Sequence, residues 1–253
     1  MKLILQLLVG IHFFCCVNLS SAEINDTLSP LERYRACMAL ARTEPEKANV
    51  SAAKWIDANG GMPAQHCLAA SEFFFGAYEK SATKLEKLER GIEEENSTLR
   101  AQILSQAGNA WLMAARFEEA LNTQNRAILL SNKDPQLYLD RATSQISLKN
   151  YTHALVDLEK AIFLDPKFGD AYLYRAAVKR YIQDLKGAIK DVNKALALIP
   201  ELPAALLERG IIRKKLGDAV RAREDWLYIL KIAPVSAEAK AARDWIQRLD
   251  SVK

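Results

Sequence analysis

The sequence predicts an all-α protein built from antiparallel helix hairpins, because its second half repeats itself with a period of 34 residues. Four windows, 101–134, 135–168, 169–202 and 203–236, align without a gap. Positions 8 and 20 of every window hold Gly or Ala, and position 32 holds proline in three of the four. A fixed period of 20–50 residues is typical of solenoids and repeat arrays, whose stacked units serve as binding surfaces.

Each window predicts two helices joined by a short turn. In the second window, apolar residues recur at helical spacing from Tyr138 to Leu148 and again from Tyr151 to Ile162. Small residues at positions 8 and 20 mark where the two helices approach most closely, and the proline at position 32 ends the second helix. The position-8 residues are Gly108, Ala142, Ala176 and Gly210, and the position-20 residues are Ala120, Ala154, Ala188 and Ala222.

A unit such as AYLYRA…AIKDVNKALALIP, within residues 171–200, resembles the tetratricopeptide repeat (TPR) family, in particular its exported bacterial members. The resemblance covers residues 101–234 closely. It departs from the family at Asn132, where proline is usual, and at Ile229, where a small residue is usual. The resemblance implies a right-handed superhelical solenoid of antiparallel helix hairpins, with the first helix of every hairpin lining a concave face.

Arginine and aspartate recur together in the last three windows, one on each predicted helix. The pairs are Arg141 with Asp157, Arg175 with Asp191, and Arg209 with Asp225. We interpret them as structural bridges within each hairpin, because the guanidinium fork matches a carboxylate. The alternative is an arginine row that binds an anionic ligand. The first window has Ala107 and Thr123 at these positions, so both partners are missing together.

The first residues of the chain, 1–22, are predicted to be an export signal. Lys2 precedes a mostly apolar run, and Ser20 and Ala22 supply the small residues that a signal peptidase reads. Cleavage would leave a soluble periplasmic protein. The alternative is an uncleaved membrane anchor, since the apolar run is close to the shortest length that spans a bilayer.

The remainder of the chain outside the four windows also predicts helix. Residues 23–95 are expected to form degenerate TPR-like hairpins, and residues 96–100 a break in the phase of the repeat. Residues 237–253 predict a C-terminal capping helix, which a repeat stack needs in order to be soluble.

Two cysteines, Cys37 and Cys67, remain after removal of the signal. An exported protein enters an oxidising compartment, so the pair predicts a disulfide. Its loop would contribute roughly 3–4 kcal/mol in the chain-entropy account. Two separate buried thiols are the alternative. A metal site with His66 is a further one, although it lacks a fourth ligand nearby.

No catalytic motif is present, and we expect no enzyme, no cofactor and no metal site. The sequence has no glycine-rich phosphate loop, no HExxH and no GxSxG. The formal net charge of +4 is too mild to indicate a nucleic-acid partner. A hydrolase with an unfamiliar arrangement of polar residues is left as an alternative.

The TPR resemblance places peptide-contacting residues at positions 2, 5, 9, 12 and 13 of each first helix. The carboxylate clamp of chaperone-binding TPR proteins is not expected. Asn109 fits it, but four residues replace others that it needs, namely Ser105, Asp140, Asp170 and Tyr174. The residues of this groove predict that the protein binds an extended or helical peptide. An acidic portion of the peptide would lie at the basic end of the groove. The predicted groove residues are Asn109, Met113, Thr143, Ser147, Arg180, Tyr181, Lys214 and Lys215.

The sequence therefore predicts a non-enzymatic protein-interaction module or scaffold in the cell envelope, which binds a peptide or partner protein in the concave groove. The alternative is an accessory subunit of an envelope enzyme or transport complex, which an uncleaved signal would tether to the membrane. Such a subunit would dock through an apolar outer patch. The partner is expected to be a protein or peptide, with no nucleic acid and no membrane contact beyond the signal segment.

Overall fold

The computed structural model describes residues 28–251, and within that range it contains thirteen helices and no strand. The predicted export signal, 1–22, lies outside the described residues. The helices are α1 (Pro30–Thr43), α2 (Pro45–Asp57), α3 (Gly61–Phe75), α4 (Tyr78–Arg90), α5 (Ser97–Met113), α6 (Phe117–Leu130), α7 (Pro135–Ser147), α8 (Tyr151–Leu164), α9 (Gly169–Tyr181), α10 (Leu185–Leu198), α11 (Pro203–Lys215), α12 (Ala219–Ile232) and α13 (Ala237–Asp250).

The described residues divide into two compact units. The N-terminal unit, 28–132, contains α1–α6, and the C-terminal unit, 133–251, contains α7–α13. Within each unit, consecutive helices pair as hairpins, and first helices also contact the next first helix, as α1 contacts α3 and α9 contacts α11. The predicted all-α class of antiparallel helix hairpins is confirmed. None of the described helices is both long and apolar enough to cross a bilayer.

A left-handed residue forms the turn between the two helices of five hairpins. It is Ala115 (φ 59°), Lys149 (φ 61°), Gln183 (φ 65°) or Gly217 (φ 87°) in the four windows, and Gly76 (φ 91°) in the hairpin before them. In each case the residue two positions later begins the second helix, so one backbone conformation reverses the chain. Side chains disfavour this conformation, and glycine tolerates it.

Close packing explains why position 8 is glycine in two windows and alanine in the others. A Cβ on Gly210 would lie 2.2 Å from Nε1 of Trp226, and a Cβ on Gly108 would lie 2.7 Å from Cγ of Gln124. The equivalent facing residues in the second and third windows are the smaller Leu158 and Val192. Alanine therefore fits opposite an aliphatic side chain, and glycine is required opposite a larger one.

Helix α5 begins earlier than the repeat pattern predicts. The first window starts at Ala101, whereas the helix starts at Ser97, inside the predicted break in phase. The guanidinium of Arg100, in this additional turn, lies 2.6 Å (Nη2) from Oε1 of the buried Glu89. This ion pair anchors the extra turn on α4. The pattern of apolar residues does not indicate this turn.

The C-terminal unit ends on the predicted capping helix. Ala239 and Ala242 of α13 are fully buried in the core of the unit, and Trp245 stacks on the buried Trp226 with ring centroids 5.6 Å apart. Lys214 lies on the Trp245 ring, with Nζ 4.8 Å from its centroid. The cap therefore covers the apolar surface that the last hairpin would otherwise expose.

Candidate functional site: the first-helix face

The candidate site is the surface formed by positions 2, 5, 9, 12 and 13 of α7, α9 and α11, the first helices of the C-terminal unit, which we call the first-helix face. Of the eight predicted groove residues, Asn109 and Met113 belong to the N-terminal unit and the other six to the C-terminal unit. Asn109 and Met113 are partly exposed on α5. The C-terminal unit therefore carries most of the predicted face, and the following description concerns that unit.

Thr143 is not available to a ligand, which corrects its assignment to the groove. Its side chain is 3% exposed, and its hydroxyl donates to the backbone oxygen of Asp140 at 2.6 Å. Ser147, one turn later, is partly exposed and donates to the backbone oxygen of Thr143 at 3.0 Å. The two hydroxyls follow the common pattern of hydrogen bonding back along their own helix.

Arg180 is held by an acidic partner and does not supply the free positive charge predicted for the groove. Its Nε donates to Oε1 of Glu208, and its Nη2 donates to Oε2 at 3.2 Å. Both side chains are largely buried, at 13% and 10% exposure. The pair lies between α9 and α11, so it fixes two successive hairpins against each other and neutralises this part of the face.

Two tyrosines border this ion pair. Tyr181 stacks almost parallel on Tyr151, with centroids 5.5 Å apart and an interplanar angle of 6°. The Arg180 guanidinium lies over the Tyr181 ring, with Cζ 4.4 Å from the centroid. Both tyrosines are partly exposed. Part of an amphipathic aromatic surface is therefore open at the end of α9, and such surfaces are favoured at binding sites.

Apolar side chains occupy the middle of the face. Leu173 and Ala177 on α9 and Ile211 on α11 are each partly exposed, while Leu173 and Ile211 also pack on the core of the unit. Lys214 is partly exposed beside Trp245, and Lys215 is exposed. The basic end predicted for the groove therefore consists of Lys214 and Lys215. It lies next to the partly exposed apolar residues in the middle of the face.

The Arg–Asp pairs form two-pronged bridges within their hairpins. In the first, Nε and Nη2 of Arg141 donate to Oδ2 and Oδ1 of Asp157 at 2.9 and 2.6 Å. Arg175 and Asp191 repeat this geometry at 2.8 and 2.7 Å, and Nη2 of Arg209 lies 2.6 Å from Oδ1 of Asp225. Because its guanidinium donates to a buried aspartate, the pKa of Arg141 is raised.

These arginines are consequently not an open row for an anion. All three carboxylates are buried, and the guanidinium groups are only partly exposed. Two of the bridges gain a second cation, since Lys179 lies 2.7 Å from Asp191 and Arg213 lies 2.7 Å from Asp225. The geometry agrees with the structural interpretation.

In the N-terminal unit, the sulfurs of Cys37 and Cys67 are joined, with Cα atoms 6.0 Å apart, and link α1 to α3. Beside this disulfide, the Tyr34 hydroxyl lies 2.7 Å from Nδ1 of His66, and Nε2 of His66 lies 2.7 Å from Oε1 of Gln106. Burial lowers the pKa of His66, and its bond to Gln106 opposes that effect. His66 thus connects three first helices, a contact that the sequence pattern does not indicate.

Within residues 28–251, no group of three or more His, Cys, Asp or Glu side chains is arranged to hold a metal ion. His66 is occupied by Tyr34 and Gln106, and the two cysteines are bonded to each other. The residues considered for a metal site therefore have other roles.

Several solved structures have the same fold. MamA from Desulfovibrio magneticus RS-1 is similar with a TM-score of 0.56 and 18% identity, covering 68% of this chain and 94% of the MamA chain. YrrB, a TPR protein with an unusual peptide-binding site, gives a TM-score of 0.51 and 18% identity, covering 76% of this chain and 97% of YrrB. The APC/C hetero-tetramer Cut9–Hcn1 gives 0.63 and 15% identity, covering 85% of this chain but only 42% of the matched one.

No protein-family model and no curated protein sequence matches the chain. At identities of 15–18%, the similar structures define the fold alone. The chain is a helical repeat protein of the stacked-hairpin class. Its fold is the TPR fold, as its 34-residue period predicts.

Proposed function

We propose that the chain is a non-enzymatic protein-interaction module that binds a peptide or partner protein on the first-helix face of its C-terminal unit. The observation that carries this proposal is the partial exposure of Leu173, Ala177 and Ile211 on neighbouring first helices. Apolar side chains that a stack leaves half-exposed, beside the Tyr151–Tyr181 aromatic pair, are typical of peptide-binding surfaces.

The chemistry of the face defines the ligand that we propose. An apolar segment would pack on Leu173, Ala177 and Ile211, and an acidic portion would lie near Lys214 and Lys215. Arg180 is excluded as an anchor because Glu208 already satisfies it. The similarity to YrrB, a TPR protein with an unusual peptide-binding site, supports peptide binding as a use of this fold.

The proposal also places the protein in the cell envelope, as a scaffold or adaptor in the periplasm. The predicted signal at 1–22 supports export. The Cys37–Cys67 disulfide supports an oxidising compartment, because disulfides persist there and are rare in the cytosol. A signal-processing assay in the native host tests this point separately from binding, by determining the N-terminal residue of the recovered protein.

The test of binding is a crosslinking capture from envelope extract with wild-type protein and an Ala177→Arg/Lys215→Glu variant. Both residues are accessible, so the substitutions change the face without breaking a hydrogen bond or an ion pair among the described residues. We expect wild type to capture a discrete partner and the variant to lose it.

A matched control is the Lys54→Glu variant, which changes an exposed lysine in the N-terminal unit. This control should retain the partner. Capture that survives the Ala177→Arg/Lys215→Glu change would refute the first-helix face as the binding site, and the absence of any partner would refute the interaction function.

A further inference from the structure

The second helices of the C-terminal unit carry a row of exposed lysines whose side chains have no hydrogen-bond or ion-pair partner among the described residues. Lys186, Lys190 and Lys194 lie one helical turn apart on α10, at positions 18, 22 and 26 of the third window, and all three are exposed. Within residues 28–251 none of them has a hydrogen bond or an ion pair. Repulsion between like charges at this spacing costs stability, and no carboxylate offsets it.

The neighbouring second helices present lysines and isolated apolar side chains at the equivalent positions. We call positions 18, 22, 26 and 29 of α8, α10 and α12 the lysine face. Phe163 and Val156 on α8 are 77% and 61% exposed, and Val220 on α12 is 72% exposed. The twelve residues of the lysine face are Thr152, Val156, Lys160, Phe163, Lys186, Lys190, Lys194, Ala197, Val220, Glu224, Tyr228 and Lys231.

We propose that the lysine face binds an anionic lipid surface. Five lysines stand on it against the carboxylate of Glu224 and that of Glu201, which accepts from the Tyr228 hydroxyl at 2.8 Å, so its charge remains positive and complementary to acidic headgroups. Phe163 protrudes with Lys160 beside it, Nζ lying 5.1 Å from the ring centroid. A protruding aromatic ring next to a lysine suits the membrane interface, where the ring enters the headgroup region and the ammonium stays with the phosphates.

The composition favours a membrane over a protein partner. Protein interfaces are depleted in lysine and enriched in arginine, and their centres are contiguous apolar patches. On this face every cation is lysine, whereas Arg141, Arg175 and Arg209 are used in the internal bridges. The apolar residues also stand singly among lysines. An accessory subunit docked through an apolar outer patch would need the opposite arrangement.

This inference is independent of the proposed peptide binding. The lysine face lies on second helices, and the first-helix face lies on α7, α9 and α11. It also departs from the expectation, made from the sequence, that the chain has no membrane contact beyond the signal segment. Peripheral binding by a folded face needs no spanning helix.

The test is vesicle co-sedimentation of the chain as recovered from the envelope. Vesicles of phosphatidylglycerol and phosphatidylcholine are compared with pure phosphatidylcholine. We expect wild type to bind the anionic vesicles and to dissociate as salt is raised. A Lys186→Glu/Lys190→Glu/Lys194→Glu variant should bind them at least tenfold more weakly, on the order of the contribution of three lysines at an acidic surface. Phe163→Ser should weaken binding by roughly threefold.

The control carries the same charge change on exposed lysines of the N-terminal unit, as Lys54→Glu/Lys80→Glu/Lys87→Glu. It should bind like wild type, and all variants should keep the helical circular dichroism of wild type. Equal losses in the control and the α10 variant would overturn the proposal, since they would show attraction by net charge alone. Equal binding of wild type to neutral and anionic vesicles would also overturn it. Absence of wild-type binding to both kinds of vesicle would overturn the proposal as well, in favour of an acidic protein as the occupant of the lysine face.

Discussion

The two units of this protein use their polar groups in different places. In the C-terminal unit, the three Arg–Asp bridges lie within hairpins and repeat with the period of the sequence. In the N-terminal unit, several strong polar links lie between hairpins and do not repeat, although the Lys84–Glu72 ion pair lies within one hairpin. The disulfide joins α1 to α3, and His66 joins α1, α3 and α5.

Charged groups of the N-terminal unit follow the same rule. Glu89, which is 1% exposed, accepts from Arg100 at 2.8 Å and from Arg126 at 2.9 Å, and thereby ties α4 to α5 and α6. Thr123, at the position where later windows have aspartate, donates to Glu86 on α4 at 2.7 Å. The α5–α6 hairpin, which lacks the Arg–Asp bridge, is thus tied to the hairpin before it. The three hairpins of the C-terminal unit each have an internal bridge, and Arg180–Glu208 also links two of them.

Removal of the disulfide should produce the largest difference in stability between the two units. A Cys37→Ala/Cys67→Ala variant opens the loop that the disulfide closes between two residues 30 positions apart in the sequence. The expected loss is roughly 3–4 kcal/mol from the unfolding free energy of the N-terminal unit. Hydrogen exchange resolved by segment should show the loss in α1–α4 and little change in α9–α12. A uniform loss over both units would contradict this prediction, because it would mean that the two units unfold together.

Breaking an internal bridge of the C-terminal unit should lower stability less than removal of the disulfide does. Asp157→Asn keeps the shape of the side chain but removes the charge that both prongs of Arg141 contact. Because Asp157 is 3% exposed, we expect the unfolding free energy measured by chemical denaturation to fall by about 2 kcal/mol. The destabilisation should be localised to α7 and α8.

The matched control is the double variant Arg141→Met/Asp157→Leu, which removes both partners and fills their space with apolar groups. It should lose less than the single variant, because a buried ion pair replaced as a whole costs little. Ala107 and Thr123 in the N-terminal unit already show that a hairpin forms without this bridge. A double variant that is less stable than Asp157→Asn would refute the interpretation.

The repeat period made the periodic features predictable. Four aligned windows placed the hairpins, the small residues of the close contacts and the partners of all three Arg–Asp bridges. Single contacts could not be found in this way. Tyr34 and Gln106 are 32 and 40 residues from His66, and Glu208 is 28 residues from Arg180, with no second example in register. Arg180 was therefore assigned to the groove, although its partner lay at position 6 of the next window.

The hairpin turns show a different limit of the sequence. Glycine at Gly217 marks the left-handed turn of the fourth window, but Ala115, Lys149 and Gln183 adopt the same conformation without any sequence signal. Packing of two helices at a fixed separation imposes the turn, and these side chains accept the strain. Local propensity is overridden by the tertiary contacts, so only the alignment with Gly217 could have indicated it.

Glycine substitution at these turns should produce the smallest effect and should be the same in both units, which share this one feature. Gln183→Gly in the C-terminal unit and Ala115→Gly in the N-terminal unit relieve a left-handed side-chain conformation, partly offset by the greater freedom of glycine in the unfolded chain. We expect each to raise the unfolding free energy by about 0.5–1 kcal/mol. Lys190→Gly, at an exposed position in the interior of α10, is the control and should lower it by about 1 kcal/mol. Thermal and chemical denaturation of the three variants measure these changes in stability. A loss of stability from Gln183→Gly would mean that the turn carries no strain. Unequal gains at Gln183 and Ala115 would show that the two units differ even in their turns.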